Sequence, residues 1–275
     1  MKIQLQTPLS FSKLGQRENN EDYIFPEMGK ADAQATLFLV CDGMGGLDKG
    51  ELASQVVADT IAKCLMNVKS SDLDENLIQK AVKEAHSALE LELKNDFLLN
   101  CLGSTLTLLS LNDRGVTVAH IGDSRVYHIR NGEILYKTRD HKQVLDMVDD
   151  GIITMEQART HPWRNRLSRS ISAKRRLGEE EANPKHDTSE VRTIGNIQVN
   201  DYFFICTDGV LDQVDDQILL KILTPKSIKN QQKLNQILEI CEGKTKDNYS
   251  GYLLQIESII DNNTFIIEQQ DAIRK

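Results

Sequence analysis

The sequence predicts an α+β fold built in layers, and three observations carry that prediction. Two helical patterns come as a pair before residue 90. Strand patterns crowd between 102 and 136 and return near 200. Helical patterns then resume between 214 and 242. Strict alternation of strand and helix, which would build a doubly wound parallel sheet, is absent. The 275 residues are 40% hydrophobic and 27% charged, an ordinary globular composition. A formal charge of -8 argues against nucleic acid as a partner, since phosphate backbones need a basic surface. No run approaches the roughly 20 apolar residues of a membrane span, and Met1–Gln6 lack the apolar core of a signal peptide. The five cysteines (41, 64, 101, 206, 241) are odd in number and form no CxxC, so buried reduced thiols in a cytoplasmic protein are expected.

The elements follow in order. Leu5 to Leu9 reads as a first strand, with a polar loop through Asp22. Ala35 to Cys41 is a short apolar run before glycines, the pattern of a strand buried on both faces. From Glu51 to Val68, apolar residues recur at helical spacing (Leu52/Ala53, Val56/Val57, Ile61, Cys64/Leu65). Leu77, Ile78, Ala81, Val82, Ala85, Ala88 and Leu89 form a second helical stripe, and the short polar loop between makes the two antiparallel neighbours. Strands are predicted at Leu102–Leu111 and Val116–Ile121 around Asn112–Gly115, then at Arg125–Ile129 and Glu133–Tyr136 around Asn131-Gly132, a strong hairpin signal. Residues 141–190 are polar with short helical stretches and the only tryptophan, Trp163. Strands return at Ile197–Val199 and Tyr202–Cys206, helices fill 214–242, and Tyr252–Ile256 is a last strand. No repeat or linker divides the chain, which favours one domain.

Five short constellations carry chemistry. Arg17-Glu18-Asn19-Asn20-Glu21-Asp22 reads either as a solvated turn or as an arginine fork for a phosphate beside two carboxylates. Asp42-Gly43-Met44-Gly45-Gly46 ends an apolar run, and its glycines permit positive φ and close backbone approach to a ligand. It is not a Walker loop, because Gly50 is followed by Glu51 and not by lysine. Gly122-Asp123-Ser124-Arg125 ends a second strand. Thr207-Asp208-Gly209 ends a third, with Asp212 four residues on. Asp247-Asn248 precede the last. Carboxylates at strand ends are how a protein holds a hard cation such as Mg²⁺ or Mn²⁺.

This ordered set, with Gly103-Ser104-Thr105 and Asp140-His141, resembles the metal-dependent protein phosphatases of the PPM (type 2C) class in their compact bacterial form, over about residues 8–257. The resemblance implies a central antiparallel β-sandwich flanked on both faces by antiparallel helix pairs. It implies a catalytic domain over 1–257, a flap over about 141–190 and a tail over 258–275. It makes Asp42 the bridge between two divalent cations (Mn²⁺ or Mg²⁺), with the Gly43 carbonyl on one of them. Asp208 and Asp247 hold the other, Glu21 and Asp22 orient bound water (Glu21 as a further ligand), and Arg17 binds the substrate phosphate. Asp123, Asp208 and Asp212 match a weaker third metal site.

Two cations sharing Asp42 would lower the pKa of a water between them, and the bridging hydroxide would attack phosphorus in line. The implied substrates are phosphoserine and phosphothreonine proteins made by a Ser/Thr kinase, and a monomer without nucleic-acid or membrane partners is expected. Covalent routes fit poorly. No cysteine has an arginine six residues on, and Asp72-Leu73-Asp74 follows a polar stretch instead of a strand. Two rivals remain: an inactive phosphatase-fold binding module, and a phosphatase of small phosphomonoesters.

Two departures from the family pattern stand out. Met44 occupies the place where some members carry a histidine proposed to protonate the leaving alcohol. His120, His128 and His141 read as structural residues, so the general acid is not named. In the flap, Ile171-Ser172 replace a small residue and glycine, and Arg164, Arg166, Arg169, Lys174, Arg175 and Arg176 make a basic stretch. That stretch is either a solvated loop or a docking strip for acidic substrates.

Overall fold

A computed structural model describes residues 1–44, 49–175 and 188–260. Two antiparallel sheets form the centre. One contains β1 (Lys2–Leu5), β2 (Leu9–Lys13), β8 (Arg125–Arg130), β9 (Glu133–Lys137), β12 (Tyr202–Cys206) and β13 (Tyr249–Ile260). The other runs in the order β11 (Glu190–Ile194), β7 (Gly115–Ile121), β6 (Leu106–Asn112), β4 (Leu37–Asp42) and β3 (Asp22–Phe25). A separate pair joins β5 (Cys101–Ser104) to β10 (Ile171–Lys174).

The strand period of two explains the layering. Phe38 and Val40 of β4 and Phe203 and Ile205 of β12 meet in one core between the sheets, with Tyr252 and Leu254 of β13. The alternate residues Leu37, Leu39 and Cys41 face outward onto α1 (Gly50–Leu65) and α2 (Glu75–Asn95), against Val57, Ile61 and Ala85. On the far side Tyr202, Phe204 and Cys206 pack on α6 (Asp216–Leu223) and α7 (Asn230–Cys241). The result is the α-β-β-α stack expected from sequence. Between β9 and β10 lie α3 (Gln143–Asp149) and α4 (Met155–Thr160), and α5 (Asp208–Leu211) is a single turn after β12.

Several expectations are corrected. The first strand does not run from Leu5 to Leu9: the chain breaks at Gln6-Thr7-Pro8, where Pro8 has no N–H to give a ladder, and strands lie on either side. The loop predicted through Asp22 contains β2 and the start of β3. Alternating serines hide β2, whose one buried side chain is Phe11. The run Leu102–Leu111 splits at Thr105, with β5 paired to β10 and β6 to the main sheet. The strand expected at Ile197–Val199 lies instead at Glu190–Ile194, an edge strand whose polar Glu190, Arg192 and Thr193 mask the pattern. Gln198 to Asp201 form a turn, in which Asp201 N donates to the Gln198 carbonyl (3.1 Å) and Asp201 Oδ2 accepts from Gln198 N (2.8 Å). Glu190 is thus part of the main sheet. The tail begins later than 258, because Ser258 and Ile260 pair with Gln4 and Lys2; the remainder of the tail lies outside the described residues. Asn131 and Gly132 do turn a hairpin, both at positive φ (50° and 84°).

Candidate metal centre and cleft

Antiparallel register gathers the acidic constellations at one end of the sandwich. Asp22, first in β3, pairs with Asp42, last in β4. Cys206, last in β12, pairs with Gly251 near the start of β13 and with Arg125 at the start of β8. Asp208, Asp247 and Asp123 therefore emerge beside one another. One oxygen each from Asp42, Asp123 and Asp208 lies within 4.8 Å of the others. Asp42, Glu21, Arg17, Asp123, Asp208 and Asp247 line a cleft of about 940 Å³. Asp208 and Asp247 also line an adjoining hollow of about 590 Å³.

The backbone around Asp42 is held from several sides. Its N–H donates to Thr105 Oγ1 (2.9 Å), and its carbonyl accepts from Thr105 N (2.9 Å) and Ser104 Oγ (3.1 Å). Thr105 in turn meets Ser124 Oγ at 3.0 Å. The break between β5 and β6 thus frees Thr105 to clamp the strand end. Gly43 donates to the Glu21 carbonyl at 3.0 Å, and a Cβ there would collide with the Gly50 carbonyl oxygen. Close approach, not positive φ, is what Gly43 needs; Gly45 and Gly46 lie outside the described residues. Gly209 is required for the same reason, since a Cβ would strike the Asn248 carbonyl.

Glu21 and Asp22 are fixed from across the chain. Asn248 Oδ1 accepts from Glu21 N (2.8 Å), and its Nδ2 donates to the carbonyls of Leu14 and Asn19 (both 2.9 Å). Ser54 Oγ donates to the Glu21 carbonyl at 2.6 Å. Thr207 Oγ1 donates to Asp22 Oδ2 at 2.9 Å. Arg17 reaches Asp247 Oδ2 at 2.8 Å.

Burial pushes the Asp208 carboxyl up to about 7, helped by the charge of Asp123 and opposed by Lys142. Burial raises Asp22 to about 7 against hydrogen bonds from Ser250 and Thr207. Asp42 is held well above the usual carboxylate range by burial and by Asp22, Asp208 and Asp123. Asp208 Oδ1 is buried with no hydrogen-bond partner among the described residues. Oxygen donors in mutual repulsion with an orphaned buried acceptor are the donor set that a hard cation satisfies, so these residues fit divalent metal.

Of the sequence-expected residues, Asp22 is buried behind the cleft and Asp212 is set apart from the cluster. Asp212 follows α5 and faces the adjoining hollow with Asp215 and Asp216. Met44 lines the main cleft, where no histidine lies among the described residues. His120 and His141 stack at 4.5 Å, and His141 Nε2 donates to Glu190 (3.0 Å) while its Nδ1 accepts from Gly122 N (3.1 Å). Burial and His120 lower His141 to about 4. His128 pairs with buried Asp201 at 2.8 Å. None of the three lines the cleft.

The described residues of the basic stretch divide between partners in the fold and the cleft. Arg175 Nη2 donates to the carbonyls of Leu93 and Asp96 and its Nε to Leu99 O (3.1 Å), capping the end of α2. Arg169 pairs with Glu190 at 3.1 Å. Arg166, stacked on Trp163 at 4.9 Å, and Lys174 line the cleft, while Arg176 lies outside the described residues. Ile171 is buried against the helices and Ser172 faces the cleft.

Sequence reasoning missed Thr105, Thr207, Asn248 and Lys142 as site residues. Each lay within or beside a quoted motif; only Thr207 and Asn248 adjoin an acidic residue, Asp208 and Asp247.

A family model described as Protein phosphatase 2C matches residues 12–239. The chain belongs to the protein phosphatase 2C family. Among its relatives, the serine/threonine protein phosphatase PstP of Mycobacterium tuberculosis is 32% identical over 207 residues, 75% of this chain and 36% of PstP. The chain thus spans little more than a third of that relative's length. A putative protein phosphatase 2C-type protein of Streptococcus pyogenes is 29% identical over 86% of this chain and 90% of its own. The crystal structure of the PstP catalytic domain in complex with two manganese ions superposes with a TM-score of 0.72 at 28% identity, covering 94% of this chain and all of that one. Among the described residues of this 2C-family chain, no helix is long and apolar enough to cross a membrane.

Proposed function

We propose that this chain is a metal-dependent protein serine/threonine phosphatase. The observation that carries the reading is the convergence of Asp42, Asp208, Asp247 and Glu21, with Arg17, on one cleft at the end of the sandwich. Family membership and the manganese complex of a structural neighbour support it. Asp42, Glu21 and the Gly43 carbonyl would hold one divalent cation. Asp42, Asp208 and Asp247 would hold the second. When bound, the two cations supply a water of lowered pKa as nucleophile and positive charge against the phosphoryl oxygens.

The chain's own groups do the rest. Arg17, docked on Asp247 at 2.8 Å, presents a guanidinium fork to the phosphate oxygens and adds fixed charge where charge is transferred. Asn248 and Ser54 hold the Glu21 backbone, so the acidic loop keeps its place. Asp22, buried and hydrogen-bonded to Thr207, orients water behind Asp42. With Met44 on the cleft wall, the leaving alkoxide takes its proton from water in the cleft. Residues 1–260 act as one catalytic unit, with the segment from His141 to Lys174 as a flap over the cleft.

The test is hydrolysis of a phosphothreonine peptide and of an aryl phosphate, with Mn²⁺, with Mg²⁺ and with chelator, beside Asp42→Asn. Metal-dependent release of phosphate from the peptide, lost in the variant, is expected. Turnover of small phosphomonoesters alone would support a metabolite phosphatase. No turnover with any cation would leave a binding module.

A further inference from the structure

The third metal site implied by family resemblance draws on Asp123, Asp208 and Asp212. In this chain Asp123 is already taken. Its side chain, 7% exposed, lies 3.0 Å from Lys142 Nζ, and the same ammonium lies 3.7 Å from Asp140 Oδ2. Asp140 is itself pinned by Arg125 through two bonds, Nε to Oδ1 at 2.6 Å and Nη2 to Oδ2 at 2.9 Å. The Lys142 backbone is bridged to Leu167, and only 18% of its side chain is exposed. The ammonium therefore stands on an anchored stem between two buried carboxylates, at the edge of the Asp42–Asp123–Asp208 cluster. Asp212 faces the neighbouring hollow and is not within that cluster.

We propose that the Lys142 ammonium is the resident cation of this third position, so that the chain holds two divalent ions and not three. The inference rests on the two-ion reading above. A tethered ammonium reaches Asp123 without competing from solution, so its local concentration exceeds that of a free ion. It also repels a dication that would share the same carboxylate. One lysine thus converts an exchangeable ion site into a fixed charge. Asp123 becomes a positioning residue, balanced by lysine, beside the ligands Asp42 and Asp208.

The experiment counts bound Mn²⁺ by calorimetry and by metal analysis after equilibrium dialysis. The wild-type chain should bind two ions. Lys142→Ala should take up a third, weaker one, and Lys142→Ala/Asp123→Asn should return to two, with circular dichroism checking the fold of each. Asp123→Asn in the wild-type background serves even if Lys142→Ala does not fold, and its count should stay at two. Three ions on the wild-type chain, two on folded Lys142→Ala, or a count lowered by Asp123→Asn alone would overturn the inference. Fewer than two ions on the wild-type chain would reject the two-ion reading itself.

Discussion

Replacing Asp208 with asparagine should stabilise the metal-free protein while removing its metal ligand. Burial and the neighbouring Asp123 carry the Asp208 carboxyl from 3.8 to about 7. At about 1.4 kcal/mol per pH unit, the penalty at pH 8 reaches about 4 kcal/mol, shared with the other carboxylates of the cluster. The sign follows from proton counting. The folded state keeps this proton up to about pH 7, whereas the unfolded chain releases it near 3.8, so folding stability falls as pH rises through that window. Asparagine has no proton to lose, and its amide can donate to the adjacent carboxylates. Urea unfolding in chelator should therefore find Asp208→Asn more stable than wild type by about 2–4 kcal/mol at pH 8, and by about 1–2 kcal/mol at pH 5. Mn²⁺ at about 1,000 times its Kd should close or reverse the gap, since the ion that Asp208 would hold then adds about 4.1 kcal/mol to the wild type and not to the variant. A variant no more stable than wild type at pH 8 in chelator would refute the picture of a carboxylate cluster held together against its own repulsion.

Three further outcomes follow from named contacts. Arg17→Ala should lower kcat/KM by about 10- to 100-fold, the loss of a charge-assisted bond to phosphate, and lysine should restore it only in part. Steady-state kinetics on the phosphopeptide checks this. Asn248→Ala frees the Glu21 N–H and two loop carbonyls, so titration should find metal affinity lowered by about 10-fold or more with the fold intact. Arg175→Ala should cost about 1–3 kcal/mol in urea unfolding by uncapping α2, with KM unchanged, whereas Arg166→Ala with Lys174→Ala should raise KM for the peptide more than for an aryl phosphate.

The layers and the acidic residues that gather at the cleft were legible in the sequence because their signals are local. Strands buried on both faces, such as β4 and β12, read as unbroken apolar runs ending in aspartate, and paired helices read as stripes. Elements whose identity depends on partners were not legible. β2 and β11 are amphipathic edges that look like loop, and the split at Thr105 exists because two different sheets claim the halves of one apolar run. Side-chain partnership was hidden for the same reason. Arg175 looked like a surface charge until α2 supplied carbonyls for it, and Lys142 followed Asp140-His141 without any spacing that pointed to Asp123.

The most direct test of the central claim is anomalous diffraction at the manganese edge from crystals grown with Mn²⁺. The account predicts two peaks at the end of the sandwich, both against Asp42, one also against Glu21 and the other against Asp208 and Asp247. A single peak, or peaks that leave Asp42 untouched, would contradict it.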